Sequence, residues 1–173
     1  MTKIILIVAL LQTSMSYAQS PWTGKWSNHE SDATDYETDF QKCSLHFSLS
    51  LLAPNGKPSA IRIDRLEAVC SDPKSFKVTI APMEFAWSSS GRLDYQGREA
   101  GRIIGDSKNG LIDLAYRESN GEITTLRGLI KNELLLLEWH RVSPNGLSFE
   151  ATSGPRGLAR EISKADANEI ERD

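Results

Sequence analysis

The chain has 173 residues, a formal net charge of −3 and 25% charged residues. Its basic residues alternate with acids and form no stripe, which argues against a nucleic-acid partner and for an ordinary solvated surface. Once the leader described below is set aside, about 155 residues remain, enough for one domain around a single core.

Met1 to Gln19 begins with one basic residue, Lys3, and runs through the apolar stretch Ile4 to Leu11 into Ser16-Tyr17-Ala18. That order of basic, apolar and small residues predicts a secretory signal peptide over residues 1–18, cleaved after Ala18. The apolar run is far shorter than the roughly 20 residues of a spanning helix, so no membrane span is expected. The protein is therefore expected to be periplasmic or secreted.

The mature chain opens on Pro21 to Asn28, "PWTGKWSN", with two tryptophans around Gly24. The acidic stretch His29 to Asp39 follows. It concentrates oxygen donors but lacks the fixed spacing and central glycine of a calcium loop, so neither a metal nor a cofactor is expected. Ala33 to Asp39 is read instead as a solvated lid over a cavity mouth.

From Cys43 the apolar period is two: Cys43, Leu45, Phe47, Leu49 and Leu51 share one face, with Ser44, His46, Ser48 and Ser50 on the other. Pro54 to Pro58 reads as a hairpin turn. In the returning arm the apolar phase slips between Ile63 and Leu66, which predicts a bulge. That bulge brings Cys43 and Cys70 level, and in an oxidising compartment it predicts a disulfide between them.

Phe76, Val78 and Ile80, then Met83, Phe85 and Trp87, then Ile112, Leu114 and Tyr116 continue the alternation. Leu134 to Leu137 is apolar on both faces, as in a central or covered strand. Asn109-Gly110, Asn120-Gly121 and Asn145-Gly146, with Lys131-Asn132 between them, read as the turns of a meander. Gly154-Pro155-Arg156-Gly157 ends the strand pattern, and residues 158–173 form a charged tail, a short helix or a frayed end.

The resulting expectation is an all-β domain over residues 19–157, a closed, mostly up-and-down antiparallel barrel of about eight to ten strands. Gly24-Lys25-Trp26 resembles the G-x-W that opens the first strand in the calycin group of lipocalins, fatty-acid-binding proteins and avidins. The resemblance implies that Trp26 closes one end of a barrel against an arginine near the last strand. Arg156 is the expected partner and Arg141 its rival. The tyrosine and threonine strand and the paired late tryptophans of an avidin pocket have no counterpart, so biotin binding is not implied.

A barrel of this size implies binding of a small, largely apolar molecule, with Phe47, Phe85, Trp87, Tyr116, Leu136 and Trp139 as its wall. The alternative is contact with another exported protein through loops. Ser88 to Tyr95, "SSSGRLDY", resembles the S-G-x-x-Y loop of some periplasmic lysozyme inhibitors, with one extra residue before the tyrosine. His29, His46 and His140 are the acid–base candidates, and Glu138 with His140 could project together, but no hydrolase, zincin or phosphate-loop motif accompanies them. A non-enzymatic monomer is expected.

Overall fold

The structure is a computed structural model that describes residues 22–34, 41–53, 59–72, 74–88, 90–105 and 109–161. The leader, residues 35–39 of the expected lid, the 54–58 turn and residues 162–173 of the tail lie outside them.

Twelve strands follow one another: β1 (Gly24–Thr34), β2 (Gln41–Leu52), β3 (Ala60–Cys70), β4 (Phe76–Ile80), β5 (Met83–Trp87), β6 (Arg92–Tyr95), β7 (Arg98–Gly105), β8 (Asn109–Arg117), β9 (Ile123–Lys131), β10 (Leu134–Val142), β11 (Ser148–Thr152) and β12 (Leu158–Arg160). All belong to one antiparallel sheet, in which β5 to β10 run as a meander. Among the described residues no helix forms, and none is long and apolar enough to cross a membrane.

The expected closed, up-and-down barrel of eight to ten strands is overturned, and with it the resemblance to the calycin group. The chain builds a large irregular sheet of twelve strands. Three of them divide one edge between two partners. β1 pairs with β11 near Thr34 and with β12 near Trp26. β3 pairs with β4 at one end and β5 at the other, while β10 pairs with β11 and then with β12. These exchanges follow from short segments and from irregular register: the pairing slips between Asn28 and Ser31, beside Ser48 and Leu49, and between Leu93 and Asp94. The last strand, β12, also occupies the first three residues of the expected helical or frayed tail.

The β2–β3 ribbon is the element that the alternation describes best. Ser48 faces Arg65 and Leu49 faces Ile63, so Asp64 is the extra residue, inside the predicted slip. Cys43 and Cys70 then fall opposite each other and are bonded.

Turn chemistry is only partly where the Asn-Gly pairs suggest. Asn109-Gly110 opens β8 rather than turning. The β9–β10 turn places Asn132 and Glu133 both at positive φ, and the β6–β7 turn does the same with Gln96 and Gly97. Both are consistent with tight primed hairpin turns, which need two such residues in succession.

The interior is filled with side chains. Trp22, Trp26, Trp139, Phe47, Phe85 and Phe149 are all essentially buried, packed with Leu45, Ile61, Ile63, Leu66, Leu93 and Ile112. Trp139 meets Phe149 edge to face at 4.7 Å, and Phe85 meets Tyr95 and Tyr116 at 5.4 and 5.5 Å. Such contacts are those of a dry core, not of a guest cavity.

Candidate functional site

The expected wall residues separate into two groups. Phe47, Phe85, Tyr116 and Trp139 are buried in the core, with Trp87 packed against it. Leu136 lies on the opposite face, half-buried and outward, beside Leu129 of β9. These six residues therefore do not surround a common space, and the proposed container for an apolar ligand falls with the barrel.

The two tryptophans of the opening segment have different partners. Trp26 lies under the Arg160 guanidinium, 4.6 Å from the ring centroid. This corrects the expected Arg156 and its rival Arg141: the stacking cation comes from β12, which period-two reading did not recognise as a strand. Trp22 packs over Gly110 and Gly128, where a methyl group would come within 2.8 and 3.3 Å of the indole.

Arg141 has another task. It is mostly buried and forms ion pairs with Glu118 and Glu122, while Thr124 donates a 2.7 Å hydrogen bond to Glu118. The group braces the β8–β9 turn against β10. Burial, reinforced by Glu118, pushes the neighbouring Tyr116 phenol well above its ordinary range.

The loop expected to plug an enzyme cleft is not built for that. Gly91 N–H donates to Ser88 O and Ser88 Oγ lies 2.8 Å from Ser90 Oγ, a closed turn between β5 and β6. Tyr95 is away from this turn, at the far end of β6 against Phe85 and Tyr116. The serine turn and the tyrosine thus lie at opposite ends of β6. Ala33 and Thr34, the described part of the expected lid, belong to β1 and pair with β11.

His29 and His46 meet on the outer face of β1 and β2 with ring centroids 6.0 Å apart, and His29 Nδ1 lies 2.9 Å from Ser44 Oγ. Burial first, and Arg65 second, hold the His46 imidazole below its usual range. Nearby Glu67 is lowered despite its burial, because Lys77 and Arg65 both hydrogen-bond to it at 2.6 Å. Among the described residues no group of three or more His, Cys, Asp or Glu side chains could hold a metal ion.

The outer surface is grooved, with a hollow of about 560 Å³ beside Glu84, Arg92 and Gln96 as well as the one described next. A groove of about 580 Å³ runs across the outer face of β8 to β11. Ala115 and Thr125 face each other across β8 and β9, Thr152 stands beside Glu138, and these small side chains let the backbone show. The rim is charged: Asp113, Arg127 and Glu138 along one row, with His140 opposite Glu150 along the next. His140 Nε2 lies 3.6 Å from Glu150 Oε1, and Arg127 lies 3.9 Å from Asp113. The expected Glu138 and His140 do share this face, but the partner of His140 is Glu150.

No family model, curated protein or solved structure matches this chain. The site has to be read from its own chemistry. Three carboxylates, one guanidinium and one imidazole around a floor of alanine and threonine make a mixed, net acidic docking strip. No reactive serine or cysteine and no cluster of metal ligands accompanies it among the groove residues. Sequence reading missed Ala115, Thr125 and Thr152 because small outward residues carry no periodic signal. Only the register across four strands brings them together.

Proposed function

We propose that the protein is an exported, non-enzymatic binding protein that docks another polypeptide surface on the outer face of its sheet. The observation that carries this reading is the groove over β8 to β11, a concave strip with a fixed charge pattern on a face that otherwise meets water. A packed interior supports the same reading, because it leaves the outer surface to do the binding. Export is supported by the leader read from the sequence and by the Cys43–Cys70 bond, which is at home in an oxidising compartment.

Carboxylates on three of the five charged rim positions favour a polypeptide that presents lysine or arginine toward β10 and β11. The test is positional cross-linking in cells that export the protein. A benzoylphenylalanine in place of Thr125 should yield a protein-mass adduct on irradiation. The same group in place of Arg62, exposed on β3, should not. Equal cross-linking at both positions, or none at Thr125, would remove the outer face from consideration.

A further inference from the structure

The outer face of β7 to β10 carries two adjacent rows whose order is unusual. One row reads Arg102, Asp113, Arg127, Glu138, with each residue directly opposite the next across neighbouring strands. Its signs alternate strictly: positive, negative, positive, negative. Two residues along each strand, the next outward row is wholly apolar: Ile104, Leu111, Leu129, Leu136. Ile104 is 45% and Leu129 40% exposed, although such side chains are most often buried. Leu134, 37% exposed, extends the apolar area on β10.

We infer that this face is an isologous interface with a second copy of the same chain; the inference rests on the outer face being the docking surface and names its occupant. Two sheets stacked face to face about a two-fold axis parallel to the strands, midway between β8 and β9, place β7 over β10 of the other copy and β8 over β9. Arg102 then meets Glu138 of the second copy and Asp113 meets its Arg127, each twice. Ile104 meets Leu136 and Leu111 meets Leu129 in the same operation. Moving the axis onto a strand destroys the match. With the axis on β8, Asp113 faces its own copy and Arg102 faces Arg127.

The alternating row therefore excludes an axis on a strand, and the axis between β8 and β9 is the one that pairs all four of its charges, while the apolar row supplies surface to bury. A generic basic partner would need no such order. The four strands concerned are the same in both rows, so a single symmetry operation satisfies all eight side chains.

The experiment is sedimentation velocity on the mature, oxidised chain from about 1 to 500 μM, a range that covers weak self-association. A monomer-to-dimer transition is expected, abolished by Leu129→Arg and weakened at least tenfold by Asp113→Arg. The double variant Asp113→Arg/Arg127→Asp exchanges the signs on both sides of the axis and should restore dimerisation. Circular dichroism and melting of each variant separate misfolding from loss of association. A monomer at every concentration overturns the inference, as does a dimer indifferent to Leu129→Arg, or a double variant no better than Asp113→Arg. If the chain stays monomeric but Thr125 still cross-links to a different protein, the docking face stands and only its occupant was misjudged. If Thr125 captures nothing, the face itself is lost.

Discussion

Gly110 and Gly128 have no side chain where Trp22 needs room. A Cβ at Gly110 would come within 2.8 Å of the indole, and one at Gly128 within 2.6 Å of Ile112 Cγ2 and 3.2 Å of Leu135 Cδ1. An indole is flat and stiff, and a filled core yields little, so overpacking costs about 1–3 kcal/mol in such sites. Gly110→Ala and Gly128→Ala should each lower the urea midpoint by a corresponding amount, with Trp22 fluorescence reporting a disturbed environment. The same substitution at Gly97, with open space around it, tests turn conformation alone.

His46 gives a pH signature at this scale. Burial and Arg65 depress its folded value, with Glu67 and Glu161 acting the other way and His29 adding to the depression. The unfolded chain, near the ordinary 6.5, therefore binds the proton first as pH falls. The contribution of neutral His46 is complete above that value and is lost as pH falls from there toward the folded one. Denaturant titrations should show stability falling as pH drops through and below 6.5, and His46→Gln should flatten that fall. An unchanged slope in the variant would assign the dependence elsewhere.

At the scale of elements, the β2–β3 ribbon shows how far alternation can be trusted. Phase along two arms located a bulge and, from it, a disulfide, because both depend only on counting residues along extended chain. The bond closes a loop with a separation of 27 residues. Replacing both cysteines by alanine should cost about 3–4 kcal/mol through the added freedom of the unfolded chain, read as a shift in urea midpoint. Elements without a strong period were read less well. Leu158–Arg160 is too short to show one, yet it fills the gap between β1 and β10 and brings Arg160 onto Trp26. Asn109-Gly110 has turn chemistry, but the pair lies within β8 and extends it. Local preference of this kind gives way when pairing to β7 and β9 supplies more hydrogen bonds.

At the scale of the whole molecule, the difference between a regular barrel and the irregular sheet decides what can be bound, and where. Three tryptophans with three phenylalanines leave the interior to packing. The proposed docking then lies on the outer surface, whose pattern exists only across strands. Both Thr125 cross-linking and dimerisation depend on several strands holding their register at once. A change that shifts β9 by one residue against β8 would turn Arg127 and Leu129 inward and erase both rows.

The amino-acid order alone determined the all-β character, the inward and outward faces of the long strands and the Cys43–Cys70 bond, since each follows from a two-residue period along one chain. The tertiary structure decided which strand follows which in the sheet, which arginine covers Trp26, and that Asp113, Arg127, Glu138 and the outward leucines form ordered rows. Those are relations between segments distant in sequence, fixed by pairing and packing, and a period read along a single strand contains no information about its neighbour.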